Sequence, residues 1–147
     1  MEDFLAAITI SFLLIAICLY LHFKVLRNAA WIVAKLDKNV RQQMLLVMTV
    51  IFLTHLTEIV LFAVAFWMMV QSGTGSLAGA HTSTAADFFY FSIGSYTTLG
   101  IGDITPEGPI RVVAGIEALT GLLLIAWSAS FTYLSMERIW APTEDSD

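Results

Sequence analysis

Apolar residues run almost unbroken through three stretches of the chain, residues 4–23, 44–70 and 111–135, and thin out between them. A bilayer hydrocarbon core of about 30 Å takes roughly 20 mainly apolar residues per helix, so each stretch is predicted to span a membrane. Residues 1–23 hold the first span. Its leader, Met1-Glu2-Asp3, is not basic and no small-residue cleavage site follows, so a retained helix is expected in place of a cleaved signal peptide. In residues 24–43, Leu26, Ala29, Val33, Leu36 and Val40 recur at helical spacing with Lys35, Lys38 and Arg41 between them. That is the pattern of an amphipathic helix on a membrane surface. A solvated connector and a lever coupling the first span to the second are both compatible with it.

Residues 71–109 break the apolar pattern. Residues 71–83 (QSGTGSLAGAHTS) are rich in Gly, Ser and Thr and read as a flexible external loop. Thr84-Ala85-Ala86-Asp87 is a capping-box-like helix start. The apolar run that follows, to Ser95, is too short to cross a bilayer and too apolar for a solvent loop. A re-entrant half-helix fits that length. Backbone that is neither helix nor barrel can lie at membrane depth only when buried in protein or lining a water-filled path. Gly100 and Gly102, alternating with larger residues, allow the dihedrals to switch hand from residue to residue. Such alternation can aim successive carbonyl oxygens the same way, and four copies around an axis would stack oxygen rings that replace a cation's water shell.

The run Thr97-Thr98-Leu99-Gly100-Ile101-Gly102-Asp103-Ile104-Thr105-Pro106 resembles the signature of the potassium-channel pore family, T-T-V-G-Y-G-D-x-x-P. With a flanking helix on each side the resemblance covers about residues 44–140. It implies an outer helix over 44–70, the external loop 71–83, a pore helix and filter over 84–103, and an inner helix over 111–135. It also implies a homotetramer, since each chain has one pore loop. By position, the carbonyls of Thr98, Leu99, Gly100 and Ile101, with the Thr98 hydroxyl, would coordinate K+, with Gly102 closing the filter. Thr97 and Asp103 would support the filter and its outer mouth, and Tyr90 would hydrogen-bond Asp103. Two departures from the family bear on selectivity. Ile101 stands where an aromatic is usual, which leaves less bulk behind the filter and implies weaker selectivity. Gly94 falls where some members carry a glutamate that pairs with the Asp, so that pair cannot form.

Charge then orients the chain. Lys24, Arg27, Lys35, Lys38 and Arg41 are five of the seven Lys and Arg, all between the first two spans. By the positive-inside rule that loop is cytoplasmic, the N-terminus outside and the C-terminus inside. The external acids Glu2, Asp3, Asp87, Asp103 and Glu107 would then concentrate cations at a fourfold mouth. The chain is 58% hydrophobic and 13% charged with a net charge of −5, which excludes a disordered chain and leaves no basic surface for nucleic acid. Cys18, the single cysteine, excludes a disulfide scaffold and is expected to be an apolar filler. Residues 141–147 (APTEDSD) form an acidic tail.

Ionisable residues inside a membrane point to function. Glu117, with Gly121 four residues on, resembles an E-x-x-x-G arrangement in the inner helices of small bacterial channels of that family. A buried acid bonded to the pore helix through Ser92 or Ser95 and a titrating group both fit Glu117. Gly121 fits a bend or close helix packing. His55 and Glu58 share a helix face, as a buried polar pair, a pH sensor or a metal site, for which two ligands are too few. His22 and His81 read as interface and loop residues.

The fold class is therefore all-α integral membrane: three transmembrane helices plus a re-entrant pore helix and filter loop per subunit, in a homotetramer of a multi-pass cell-membrane protein. The function implied is passive, selective K+ conduction, with K+ and the bilayer as partners and no cofactor beyond the permeant ion. A weakly selective Na+/K+ pathway and a non-conducting sensor or accessory subunit are the rivals. No nucleophile–base constellation or cofactor loop is present, so no enzyme is expected. Regularly spaced arginines are lacking in the first span, and gating is expected to rest on the filter, inner helix, lipid or a partner.

Overall fold

The computed structural model describes residues 1–35, 39–79 and 84–140, with the side chains of 138–140 excepted. His81 and the expected acidic tail lie outside these residues. In chain order the elements are α1 (Glu2–Lys35), α2 (Val40–Gln71), β1 (Ser76–Gly79), α3 (Ala85–Tyr96), β2 (Ile104–Glu107) and α4 (Ile110–Trp140). α1, α2 and α4 contain three segments long and apolar enough to cross a membrane. α3, at 12 residues, is about 18 Å long and cannot.

The first span differs from its expected form. α1 is one 34-residue helix, and residues 24–35 continue it; they are not a separate surface helix. The sequence from Lys24 to Lys35 contains no Gly or Pro to break the helix. Its buried positions, Ala7, Ser11, Leu14, Cys18, His22, Leu26 and Ala29, form a single stripe at spacings of three and four. Leu26, at the lower end, packs with Val47 and Ile51 of α2. The small residues in this stripe let α1 approach its neighbours closely, which is how helices associate where lipid is as apolar as the interface.

α2 begins four residues earlier than the sequence suggested. Asn39 caps it by accepting from Gln42 N–H at 3.0 Å, satisfying one of the free donors of the first turn. α1 packs on α2 and α4, and α3 sits between α2 and α4. Phe62, Phe66, Ile110, Val113 and Leu124 are fully buried at these contacts, as is Cys18. Phe66 meets Phe91 of α3 edge-on at 5.1 Å, a geometry that aromatic quadrupoles favour. Large apolar side chains such as Phe12, Leu13, Phe52 and Leu122 stay exposed, as the bilayer requires.

Part of the expected flexible loop is a strand. β1 pairs antiparallel with β2 in the register Ser76↔Glu107, Leu77↔Pro106, Ala78↔Thr105 and Gly79↔Ile104. Ser76 Oγ also donates to Glu107 Oε2 at 3.0 Å. This ribbon ties the segment after α2 to the segment leading into α4, so the loop between α3 and β2 is held at both ends.

Candidate functional site

The loop after α3 starts from a rigid base. Thr84 and Asp87 form a reciprocal capping box at the N-terminus of α3, with Thr84 N–H donating to Asp87 Oδ2 at 2.9 Å. This serves two otherwise unpaired first-turn groups. At the other end Thr97 N–H donates to Ile93 O and Thr98 N–H to Ser95 O, at 3.0 and 2.9 Å. The chain then leaves helical geometry. Thr98, Gly100 and Gly102 have φ of 59°, 53° and 88°, whereas Leu99 and Ile101 stay at negative φ. The hand therefore alternates over five consecutive residues. Among the described residues Thr98 is the one non-glycine at positive φ, a conformation that persists only where surrounding contacts impose it. Gly100 N–H donates back to Gly94 O at 3.1 Å, pinning the middle of the loop to α3.

Asp103 closes the loop. Its Oδ1 accepts from the Ile104 N–H and its Oδ2 from the Tyr90 hydroxyl, both at 3.0 Å. Accepting that bond, the Asp103 carboxylate pushes the Tyr90 phenol above its ordinary pKa. Tyr90 is exposed, so solvent competes for its hydroxyl and Tyr90→Phe should have only a small effect on stability. A slightly lower melting temperature of the purified protein is the expected result, and an unchanged one would show that the bond contributes nothing in solution. At Gly94, a Cβ would meet nothing within 4 Å, and no carboxylate is there to replace the Tyr90 contact. A cavity of about 240 Å³ lies against the loop, lined by Tyr90, Phe91, Gly94, Ile101, Ile104 and Ala114 among others.

Behind the loop, α4 is fixed to α3 by polar contacts. Ser95 Oγ donates to Ala114 O at 2.9 Å. Ser92 Oγ lies 2.5 Å from Glu117 Oε1 and 2.8 Å from Ile59 O. A hydroxyl has one proton, so both contacts are hydrogen bonds only when the Glu117 carboxyl brings a proton of its own. Glu117 is fully buried, and its Oε2 has no hydrogen-bond partner among the described residues. Of the two readings of Gly121, close packing describes its place: α4 passes through it unbroken, and the Tyr96 carbonyl occupies the space a Cβ would need.

A second polar cluster lies one layer deeper. Glu58 is fully buried and its Oε1 lies 3.0 Å from His22 Nδ1. Its Oε2 lies 3.2 Å from His55 Nδ1 and accepts from the Tyr96 hydroxyl at 2.6 Å. Ser128 Oγ bridges the far nitrogens of the two imidazoles, 3.1 Å from His22 Nε2 and 3.0 Å from His55 Nε2. All four helices contribute. His55 and Glu58 are together, as their spacing predicted, but His22 is fully buried and is not an interface residue. His22, Tyr96 and Ser128 were not legible as partners. The readable signal for His22 was its place four residues after Cys18 in a stripe of small residues.

A family model described as "Ion channel" matches residues 44–136 of this chain. The "Inward rectifier potassium channel Kirbac3.1" of Paramagnetospirillum magnetotacticum is 30% identical over 90 residues, 60% of this chain and 30% of that protein. The chain thus spans under a third of the length of that relative. No solved structure matches the chain significantly.

Proposed function

We propose that this chain, which belongs to the ion-channel family whose model it matches over residues 44–136, is one subunit of a homotetrameric channel that conducts K+ passively. α2 serves as outer helix, α3 as a re-entrant pore helix, residues 98–102 as filter and α4 as inner helix. The observation that carries the proposal is the alternation of hand at Thr98, Gly100 and Gly102 between a helix too short to cross and one long enough to do so. An irregular backbone of this kind leaves carbonyls without helical partners, and at membrane depth these need an ion, water or protein. On the fourfold axis, carbonyls of residues 98–101 replace the hydration shell of K+. Leu99 and Ile101, 67% and 58% exposed in the single chain, then face neighbouring subunits. The similarity to a named potassium channel supports K+ as the ion. The basic residues Lys24, Arg27, Lys35 and Arg41 support a cytoplasmic α1–α2 connection in a cell membrane, with the N-terminus outside.

The test is flux from liposomes reconstituted with the purified protein, under opposed K+ and Na+ gradients and with a quaternary-ammonium blocker. A reversal potential near that for K+, abolished by the blocker, is expected; absence of flux across varied pH and lipid would reassign the chain as a non-conducting subunit.

The cavity beside Gly94 and Ile101 favours the second reading, a weakly selective Na+/K+ pathway, because the filter there has little bulk behind it. Ile101→Tyr should raise the K+/Na+ permeability ratio several-fold by filling that space. An unchanged ratio would reject packing behind the filter as the determinant.

A further inference from the structure

We propose that His22, His55 and Glu58 form a binding site for one zinc ion per subunit, joining α1 to the base of the filter. Among the described residues, these three bring ligand atoms within 4.8 Å of one another. From the sequence only His55 and Glu58 were in reach of each other; the fold supplies the third ligand from a helix 36 positions away.

Four features of the cluster fit a metal. First, the ligand set is two imidazoles and a carboxylate, a combination zinc takes with a fourth position left for water or a further side chain. All-oxygen cations such as Ca2+ and Mg2+ are poorly served by it. Second, the spacing is right. Ligands about 2.0–2.1 Å from a tetrahedral ion stand roughly 3.3 Å from each other; here Nδ1 of His22 lies 3.0 Å from Glu58 Oε1 and Nδ1 of His55 3.2 Å from Glu58 Oε2, with one ligand atom from each residue inside 4.8 Å. Tyr96 Oη, 2.8 Å from His55 Nδ1 and donating to Glu58 Oε2, borders the ligand set and holds its carboxylate.

Third, a second shell is in place. Ser128 Oγ has two lone pairs and can accept from Nε2–H of both rings. That tautomer turns both Nδ1 lone pairs onto a carboxylate that itself offers only lone pairs. In that tautomer a cation in the middle would satisfy all three groups, and orienting acceptors of this kind accompany metal-bound histidines. Fourth, the cluster reaches the surface of the single chain at one ligand: the His55 side chain keeps 16% exposure, while His22 and Glu58 have none. Tyr96 is the last residue of α3 and precedes Thr97 and Thr98 directly, so an ion at this point fastens the first helix to the start of the filter.

The site goes beyond the channel reading and is measured without conduction. The untagged full-length protein, stripped with a chelator, would be dialysed against Zn2+ at neutral pH and its metal counted; Co2+ would then report coordination through its visible absorption. One ion per subunit and a tetrahedral Co2+ spectrum are expected. His22→Gln and Glu58→Gln should each weaken binding at least about tenfold, whereas Glu117→Gln, at a buried acid outside the cluster, should retain it. If either variant fails to fold, His55→Gln at the partly exposed position takes its place. Metal content at the level of the stripped protein, or full retention in the ligand variants, would overturn the proposal. Histidines that titrate without taking up metal would overturn it too, leaving a proton-only network.

Discussion

Replacing Gly100 by alanine should reduce K+ flux from reconstituted liposomes by at least about a hundredfold. Gly100 has φ of 53°, where a side chain costs about 1–2 kcal/mol through contact of its Cβ with the following carbonyl. A Cβ here would meet no other atom within 4 Å, so the penalty is one of backbone conformation and not of collision. The chain already holds Thr98 in the same region, and a second strained residue two positions on has no slack to draw upon. In a tetramer the penalty acts on four copies at once, roughly 4–8 kcal/mol in all, against about 1.4 kcal/mol for a tenfold effect. Relief comes from flipping a peptide unit, which removes an oxygen from the ladder. Gly94→Ala is the control: Gly94 lies within α3 and a Cβ there also meets nothing, so its flux should be close to that of the unaltered protein. Wild-type K+ flux through Gly100→Ala would sink the filter reading.

The second large effect is expected at Gly121, and it is one of stability. The position of its missing Cβ is taken by the Tyr96 carbonyl, with Tyr96 Cγ also close. Overpacking a well-filled interior typically costs about 1–3 kcal/mol, and the upper end applies because the obstacle is main chain. Tyr96 cannot yield freely: its hydroxyl is held by Glu58 at 2.6 Å. Gly121→Ala should therefore lower the melting temperature and the yield of assembled protein on size-exclusion chromatography. Gly115→Ala, on the same helix but with open space around it, should do neither. Equal melting curves for Gly121→Ala and the unaltered protein would show that α3 and α4 do not need this approach.

The second effect turns on Tyr96, the residue the sequence concealed best. It follows the pore-helix stretch and reads as one more apolar position. In the structure it is fully buried, packs under Gly121 and donates to Glu58. His22 was hidden for a related reason. Near the end of the first apolar run it looked like an interface residue, because that run was expected to stop at Phe23. The helix continues to Lys35, which moves His22 from the rim to the middle of α1. The β1–β2 ribbon was illegible because each strand has only four residues and gains its partner from far along the chain.

What the sequence determined by itself is whatever depends on local rules. Long apolar runs imply spanning helices because lipid leaves no other partner for backbone polar groups. The Thr84–Asp87 cap sets the start of α3, and glycine at 100 and 102 permits a change of hand. The bond from Tyr90 to Asp103 was implied by the resemblance of residues 97–106 to the pore-family signature. Only the tertiary structure decided which buried polar groups meet. Glu58 needs donors, but His22, Tyr96 and Ser128 come from three other helices, and the stripe that aligns them exists only once α1 is packed. A helix sequence states which face is polar; how far that face lies along and around its neighbour is settled by close packing of small residues, which has no signature in any one segment.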